Sequence, residues 1–153
     1  MTIHTINKTL VIRASMEECW SFFSSPANLG KITPPELDFR VISEEPARIY
    51  PGLMIRYRVR PLLGIPVTWL TEITHVRENE YFSDEQRVGP YAIWHHEHFF
   101  QKLDDSHVEI RDLVHYALPF WLVGDLVHAL VVKRQIENIF EFREKSVREL
   151  FPD

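Results

Sequence analysis

Apolar and polar residues alternate along most of this chain, and the alternation predicts β-strands because successive side chains of a strand point to opposite faces. A first strand, rich in β-branched residues, ends near Arg13. Six further strand-like segments are separated by short turn-forming pieces, and they cover residues 37–43, 53–60, 66–76, 81–88, 92–102 and 107–118. Closely spaced strands with short connections predict an antiparallel meander.

Helical patterns occur after the first strand and at the end of the chain. Ser15 is followed three positions later by Glu18, which is a capping box at the start of a short apolar helix. A second short helix is predicted to end before the successive prolines Pro34 and Pro35. From residue 120 onward the period becomes that of one long amphipathic helix, with apolar residues at Leu122, Leu126, Ala129, Val132, Ile136, Ile139, Phe140, Val147 and Leu150. We expect this helix to cover the apolar face of the sheet in an α+β fold.

Composition narrows the classes of function. The 153 residues fit one domain, 1–153, and 45% hydrophobic with 25% charged residues is typical of a globular protein. A net charge of −5 argues against nucleic acid as a partner. No apolar run is long enough for a membrane span and no signal-peptide core is present, so we expect a cytoplasmic protein. Cys19 is the only cysteine, which rules out an internal disulfide and predicts a buried thiol on the first helix.

Three strings in the second half of the chain carry a family resemblance: FSDEQRVGPYAIWHHEHFF, RDLVHYALPF and IENIFEFR. They are similar to the patterns F-x-D-x-Q-x-x-G-P, W-x-H-x-H-x-F, D-x-V-x-Y-x-x-P and I-F-x-[YF]-R of a bacterial subfamily of the SRPBCC superfamily, also called START-like or helix-grip proteins. That superfamily includes polyketide cyclases, plant pathogenesis-related proteins and lipid-transfer domains. One position departs from the pattern, because the glycine that often follows the proline of the third string is Phe120 here.

The resemblance implies a helix-grip fold, in which a curved antiparallel sheet wraps around the long C-terminal helix and two short helices follow the first strand. It also implies a cavity between sheet and helix for an apolar or amphipathic small molecule, which some relatives convert by cyclisation or dehydration and many only bind. Relatives of this subfamily also occur joined to NAD-binding epimerase-like domains, so an oxidoreductase or epimerase-like enzyme is a candidate partner. This chain has no GxGxxG fingerprint after a strand, and no cofactor is expected.

The segment WHHEHFF resolves into two faces when strand alternation is applied to it. Its even positions are Trp94, His96, His98 and Phe100, and its odd positions are Ile93, His95, Glu97 and Phe99. The even positions of residues 107–118 are mostly apolar but include Asp112, so we expect the even face of both strands to point inward. His95 with Glu97 should then meet water.

Turn length fixes the pairing of these strands. If residues 104–106 form a three-residue hairpin loop, the facing pairs are Phe100 with Ile110, His98 with Asp112, His96 with Val114 and Trp94 with Tyr116. A three-residue loop at residues 89–91 would likewise give the facing pairs Val88 with Ala92, Gln86 with Trp94, Asp84 with His96 and Phe82 with His98. Buried carboxylates and imidazoles are costly unless they bond to one another, so we expect Asp84 to satisfy His96 and Asp112 to satisfy His98.

A metal would use His96, His98 and either Asp112 or Asp84, because histidines at i and i+2 converge on one side of a strand. No third histidine shares this face and no glutamate–histidine helix motif accompanies it, so we favour a hydrogen-bonded network without a metal. A catalytic role would use His96 or His98 as general acid or base beside a carboxylate such as Asp112, as in a polyketide cyclase or dehydratase. Nothing marks a nucleophile or an oxyanion hole, so catalysis is the second hypothesis.

Binding of an apolar or amphipathic small molecule is the first hypothesis, because it needs only an apolar cavity with a few convergent polar groups. The expected ligand-binding residues are Phe82, Asp84, Gln86, Trp94, His96, His98, Asp112, Tyr116, Ile136, Phe140 and Arg143. Phe100 and Ile110 are expected to fill the core instead. Arg143 is either a cation for an anionic ligand or a salt-bridge partner, and Glu72 is expected on the outer face.

Overall fold

A computed structural model of the protein describes residues 1–62, 64–119, 126 and 131–152. The helices are α1 (Met16–Phe23), two 3₁₀ helices (Pro26–Ile32 and Pro35–Leu37) and the long α2 (Lys133–Leu150). The strands are β1 (His4–Arg13), β2 (Arg40–Val41), β3 (Met54–Leu62), β4 (Ile65–Arg77), β5 (Tyr81–Val88), β6 (Ile93–Lys102) and β7 (His107–Ala117). This order confirms the predicted α+β architecture.

The strands form one curved antiparallel sheet in the order β1-β7-β6-β5-β4-β3-β2. Strands β2 to β7 follow one another as neighbours, which confirms the predicted meander, and β1 closes beside β7. The strand expected at 37–43 is much shorter than predicted. Pro35–Leu37 turns as a 3₁₀ helix and Asp38 adopts a left-handed backbone with φ 43°, so the chain joins the sheet only at Arg40.

The N-terminal helical segment begins as the capping box predicts. The Ser15 side chain accepts a hydrogen bond from the Glu18 amide, and the Glu18 carboxylate accepts one from the Ser15 amide. Cys19 and Trp20 are the buried residues of this helix, and the Trp20 ring meets Phe100 edge-on at 5.4 Å between centroids. The predicted second short helix is a 3₁₀ helix that ends at Ile32.

The C-terminal helix buries one stripe of side chains against the sheet. Ile136, Phe140, Arg143 and Val147 are buried, which is the three- and four-residue spacing of a helix face. Val132, Ile136 and Phe140 pack with Val114 and Tyr116 of β7. Residues 120–125 and 127–130 of the predicted helix lie outside the described residues, and Leu126 and Leu150 are exposed.

Together these elements give the helix-grip architecture, in which the sheet curves around α2. Over the described ranges, no helix is long and apolar enough to cross a membrane. The inner face of β3 to β6, the 3₁₀ helix at Pro26–Ile32 and α2 surround the pocket at which the candidate site lies.

Candidate functional site

The two inward histidines lie where strand alternation predicts them. Trp94 faces Tyr116, His96 faces Val114 and His98 faces Asp112 across β6 and β7, and Asp84 of β5 faces His96. His96 is 8% exposed and His98 is 6% exposed, so both rings are buried on the inner face. The predicted register of β6 with β7 is therefore confirmed.

Two of the hydrogen bonds in this cluster, however, run diagonally rather than straight across the strands. The Nε2 of His96 donates to Oδ1 of Asp112 at 3.0 Å, and the Nε2 of His98 donates to Oδ2 of Asp84 at 3.0 Å. The predicted bond between Asp84 and His96 is wrong, because those side chains come no closer than 3.9 Å between Oδ2 and Nδ1. Diagonal neighbours on adjacent strands are within reach of long side chains, and strand twist brings one diagonal closer than the other.

Asp112 is the centre of the cluster. Its Oδ1 lies 2.9 Å from Nδ1 of His98, which confirms the predicted contact of these two residues, and it accepts the bond from His96. Arg143 of α2 donates from Nε to Oδ2 at 3.1 Å and from Nη2 to Oδ1 at 3.2 Å. Arg143 is thus both inward-pointing and a salt-bridge partner, and this two-bond geometry holds α2 against β7.

The surroundings of the two histidines change their pKa values in different ways. Burial lowers the pKa of His96, and the neighbouring His98 acts in the same direction. Burial also opposes a charge on His98, but its contacts with Asp112 and Asp84 outweigh burial and raise its pKa. Burial would raise the pKa of Asp112, yet the charge of Arg143 and the bonds from both histidines hold it well below its usual range. The pKa values of the two histidines therefore shift in opposite directions, down for His96 and up for His98.

A pocket of about 210 Å³ opens above this cluster, between the sheet, the 3₁₀ helix at Pro26–Ile32 and α2. Among the predicted ligand-binding residues, those that line it are Phe82, Asp84, Trp94, His96, His98, Phe140 and Arg143. Those that do not are Gln86, Asp112, Tyr116 and Ile136. Asp112 lies behind the histidines, while Tyr116 and Ile136 pack into the core between β7 and α2.

Gln86 has a structural position at the turn between β5 and β6. Its predicted pairing with Trp94 is wrong, because the ladder between these strands ends at Glu85 and His95. The Gln86 side chain instead donates from Nε2 to the Tyr91 carbonyl at 2.7 Å and accepts from the Tyr91 amide at 3.2 Å. A Cβ at Gly89 would overlap this side chain, so any larger residue there would displace Gln86.

Much of the pocket wall comes from residues that the sequence interpretation did not assign to a face. In β3, Ile55, Tyr57 and Val59 line the pocket and alternate with arginines, a signal that was present in the sequence. Tyr57 bonds to Thr71 of β4, and burial raises the pKa of its hydroxyl, with the charge of Asp84 adding to the effect. The hydroxyl therefore stays protonated in the pocket.

The pocket lining shows which side chains of β4 point inward. Trp69, Thr71 and Ile73 line the pocket, so these odd positions point inward. Glu72 points outward and accepts a hydrogen bond from Nε of Arg87 at 2.6 Å, which confirms its expected place on the outer face.

Other expectations for individual residues also hold. Phe100 and Ile110 belong to the core cluster around Trp20, and Cys19 is fully buried, as predicted. His95 lies on the outer face, with its Nδ1 3.2 Å from Oε1 of Glu85 and its Nε2 3.8 Å from Oε2 of Glu97.

No protein-family model matches the sequence, and no curated protein is similar enough to count as a relative. Solved structures, by contrast, match over nearly the whole length. A START superfamily protein from Mycobacterium smegmatis has a TM-score of 0.64 at 16% identity, covering 96% of this chain and 99% of that one. An aromatase/cyclase from Streptomyces sp. R1128 has a TM-score of 0.69 at 12% identity, covering 99% and 98%.

A third solved structure is norcoclaurine synthase from Thalictrum flavum in complex with dopamine and hydroxybenzaldehyde. It has a TM-score of 0.65 at 14% identity and covers 99% of this chain and 90% of its own. At these identities the likeness concerns the fold. The chain has the helix-grip fold of START-like proteins, which confirms the architecture that the sequence resemblance implied.

Proposed function

We propose that the protein binds a compact apolar or amphipathic small molecule in the pocket between the sheet and α2. The observation that carries this proposal is the composition of the pocket wall. Aromatic and aliphatic side chains form most of it, and a polar cluster of Asp84, His96, His98 and Arg143 lies in one part of it. A largely apolar pocket with a few convergent polar groups is the usual form of a small-molecule site.

The size of the pocket narrows the class of ligand. Its volume of about 210 Å³ lies below the roughly 300–1,000 Å³ of sites for drug-sized molecules. A compact ring compound therefore fits better than a long acyl chain. The two molecules held by the norcoclaurine synthase structure, dopamine and hydroxybenzaldehyde, are amphipathic compounds of this size class, which supports the proposal without identifying the ligand.

The position of the polar groups suggests how such a molecule would be oriented. Trp69, Tyr91 and Trp94 pack against one another, with ring centroids 4.8 to 5.5 Å apart, and offer flat surfaces to an aromatic ring. The Tyr57 hydroxyl and the Asp84 carboxylate can bond to a polar substituent of the ligand. The polar groups of the pocket would thus set the orientation of the ligand, and the apolar part of the pocket wall would provide most of the affinity.

The proposal is tested by pocket filling. Freshly purified protein is analysed by native mass spectrometry for a retained organic mass, and an environment-sensitive fluorescent probe is titrated into it. Ile139, which is half-buried and lines the pocket, is replaced by tryptophan, and Leu150→Trp on the exposed end of the same helix is the matched control. Probe binding should weaken strongly in Ile139→Trp and stay unchanged in Leu150→Trp, and equal affinity in both variants would contradict the proposal.

A second candidate function is proton transfer on a carbonyl-containing substrate, as in a cyclase or dehydratase. One feature favours it: the Nε2 of His96 is fixed by Asp112, so its other ring nitrogen, Nδ1, is left on the Asp84 side of a ring that lines the pocket. A carboxylate-oriented imidazole of this kind is competent as a general base. His96→Gln should then abolish turnover of a substrate found by screening while leaving its binding intact, whereas unchanged turnover would exclude the role.

A further inference from the structure

We propose that Asp84, His96 and His98 form a binding site for a divalent transition-metal ion, of the Zn²⁺ or Fe²⁺ class, at the polar end of the pocket. Each residue offers one ligand atom, and these atoms lie within 4.8 Å of one another. Two of the separations are known in detail. Oδ2 of Asp84 is 3.0 Å from Nε2 of His98 and 3.9 Å from Nδ1 of His96. Ligands bound to one ion at roughly 2.1 Å stand about 3 to 4 Å apart, so small side-chain rotations would suffice.

The orientation of both imidazole rings is the main argument. A metal-bound histidine usually donates its second ring nitrogen to a carboxylate or carbonyl, which fixes the ring and its tautomer. Here both rings meet the same oxygen of Asp112, through Nε2 of His96 at 3.0 Å and Nδ1 of His98 at 2.9 Å. The nitrogens that remain, Nδ1 of His96 and Nε2 of His98, are those that approach Asp84. The cluster thus has one carboxylate, Asp84, that could bind the metal directly, and a second, Asp112, that orients the two histidines, as metal sites do.

Arg143 fixes the position of Asp112, the carboxylate that orients the histidines. Arg143 forms two bonds with it, and Asp112 is absent from the pocket wall that the described residues form, whereas the three candidate ligands all line that wall. The carboxylate that orients the rings is therefore fixed to α2, and the carboxylate that would bind the metal faces the pocket. The ion would replace the proton shared by His98 and Asp84.

Donor type and charge decide the class of metal. Two imidazoles and one carboxylate suit zinc or ferrous iron, whereas magnesium and calcium prefer oxygen ligands alone. Three protein ligands on one side leave positions open toward the pocket, as in sites that bind an exchangeable ligand. Arg143 and Asp112 offset each other, so Asp84 alone neutralises only half of the charge of the ion. The remaining charge would attract an anionic or enolic oxygen.

This inference goes beyond the proposed binding function and does not depend on it, because metal uptake requires no organic ligand. It also departs from the expectation, drawn from the sequence, of a network without a metal. It excludes the use of His96 as a free base, since Nδ1 would be bound to the ion.

The experiment uses tag-free, chelator-treated full-length protein. Co²⁺ is titrated while its visible absorption is recorded, because band intensity reports coordination geometry, and Zn²⁺ affinity is measured by competition with a chromophoric chelator. We expect saturation at one equivalent. Asp112→Asn should weaken Zn²⁺ binding by about 10- to 100-fold, and Asp84→Asn, which keeps the side-chain volume, by more. His95→Asn on the outer face of the same strand is the control and should bind as the wild type does.

The outcomes separate cleanly. Wild-type protein that shows no saturable one-equivalent binding of either ion overturns the site, whatever the variants do. Binding that survives Asp84→Asn in a folded variant, or that is lost equally in His95→Asn, assigns the metal elsewhere and overturns it too. Circular dichroism and thermal melting establish that each variant is folded. Probe binding in the pocket, measured on the same metal-free samples, keeps this test distinct from that of the small-molecule proposal.

Discussion

The ion pair between Asp112 and Arg143 predicts a large loss of stability when Asp112 is replaced by asparagine. Both side chains are largely buried, at 9% exposed for Asp112 and 11% for Arg143, and Asp112 is the only carboxylate that Arg143 contacts among the described residues. The substitution keeps the shape of the side chain but leaves a guanidinium in the interior without a counter-charge. Breaking a buried pair in this way costs about 3 to 5 kcal/mol.

That loss is large against the stability of a domain, which is typically about 5 to 15 kcal/mol. With a urea m-value of about 1 to 3 kcal/mol per molar, the unfolding midpoint should fall by at least about 1 M. Urea unfolding followed by tryptophan fluorescence and by far-ultraviolet circular dichroism measures this shift. The buried Trp20 ring reports on the core next to the site.

The matched control is Glu144→Gln, the same change of acid to amide on an exposed salt bridge of α2. Glu144 pairs with Arg148 at 3.0 Å, with side chains 48% and 55% exposed, and pairs of this kind contribute about 0.3 to 0.5 kcal/mol. The midpoint of Glu144→Gln should therefore barely move. If Asp112→Asn shifted the midpoint no more than this control, then Arg143 would reach water or another partner in the native state, and the reasoning would be refuted.

Three further predictions concern local features. Gly89→Ala should lower stability by about 1 to 3 kcal/mol, because the added Cβ displaces Gln86 and breaks its two bonds to Tyr91; an unchanged melting temperature would show that the turn relaxes. Ser15→Ala should cost about 0.5 to 2 kcal/mol in chemical denaturation, since it removes the capping box of α1, and a cost near zero would mean that packing alone holds the helix. Cys19, whose pKa burial raises to about 12, should not react with an aromatic disulfide reagent until the protein is unfolded in urea, and rapid labelling of folded protein would contradict its burial.

The parts of the fold that the sequence could predict are those governed by a period of two and by turn length. A slip of one residue between β6 and β7 would move Trp94 and Phe100 to the outer face, so burial permits one register, and that register is observed. The same alternation holds in β3, where Ile55, Tyr57 and Val59 alternate with arginines and line the pocket.

The parts that could not be predicted depend on geometry that alternation does not contain. Positions that face each other in two strands need not form bonded pairs. Asp84 faces His96, but the twist of the sheet and the length of these side chains favour the diagonal bond with His98. The predicted strand pairing across the turn after β5 is wrong for a different reason. There the Gln86 side chain replaces the strand ladder by bonding to the backbone of Tyr91, a local competition that strand periodicity cannot register.

The diagonal bonding also changes what the site can do. From the sequence, the two carboxylates are equivalent, each with its own histidine. In the structure the two carboxylates differ. Asp112 contacts both histidines and accepts hydrogen bonds from Arg143. Asp84, within the described part of the chain, is hydrogen-bonded only by His98 and lines the pocket. A ligand hydroxyl, a substrate proton or a metal ion in the pocket can therefore reach Asp84 rather than Asp112, while Asp112 holds the two histidines in place. A substitution at Asp84 should for this reason alter ligand or metal binding with little effect on the fold, whereas one at Asp112 should destabilise the fold and should weaken metal binding only through the histidines that Asp112 orients.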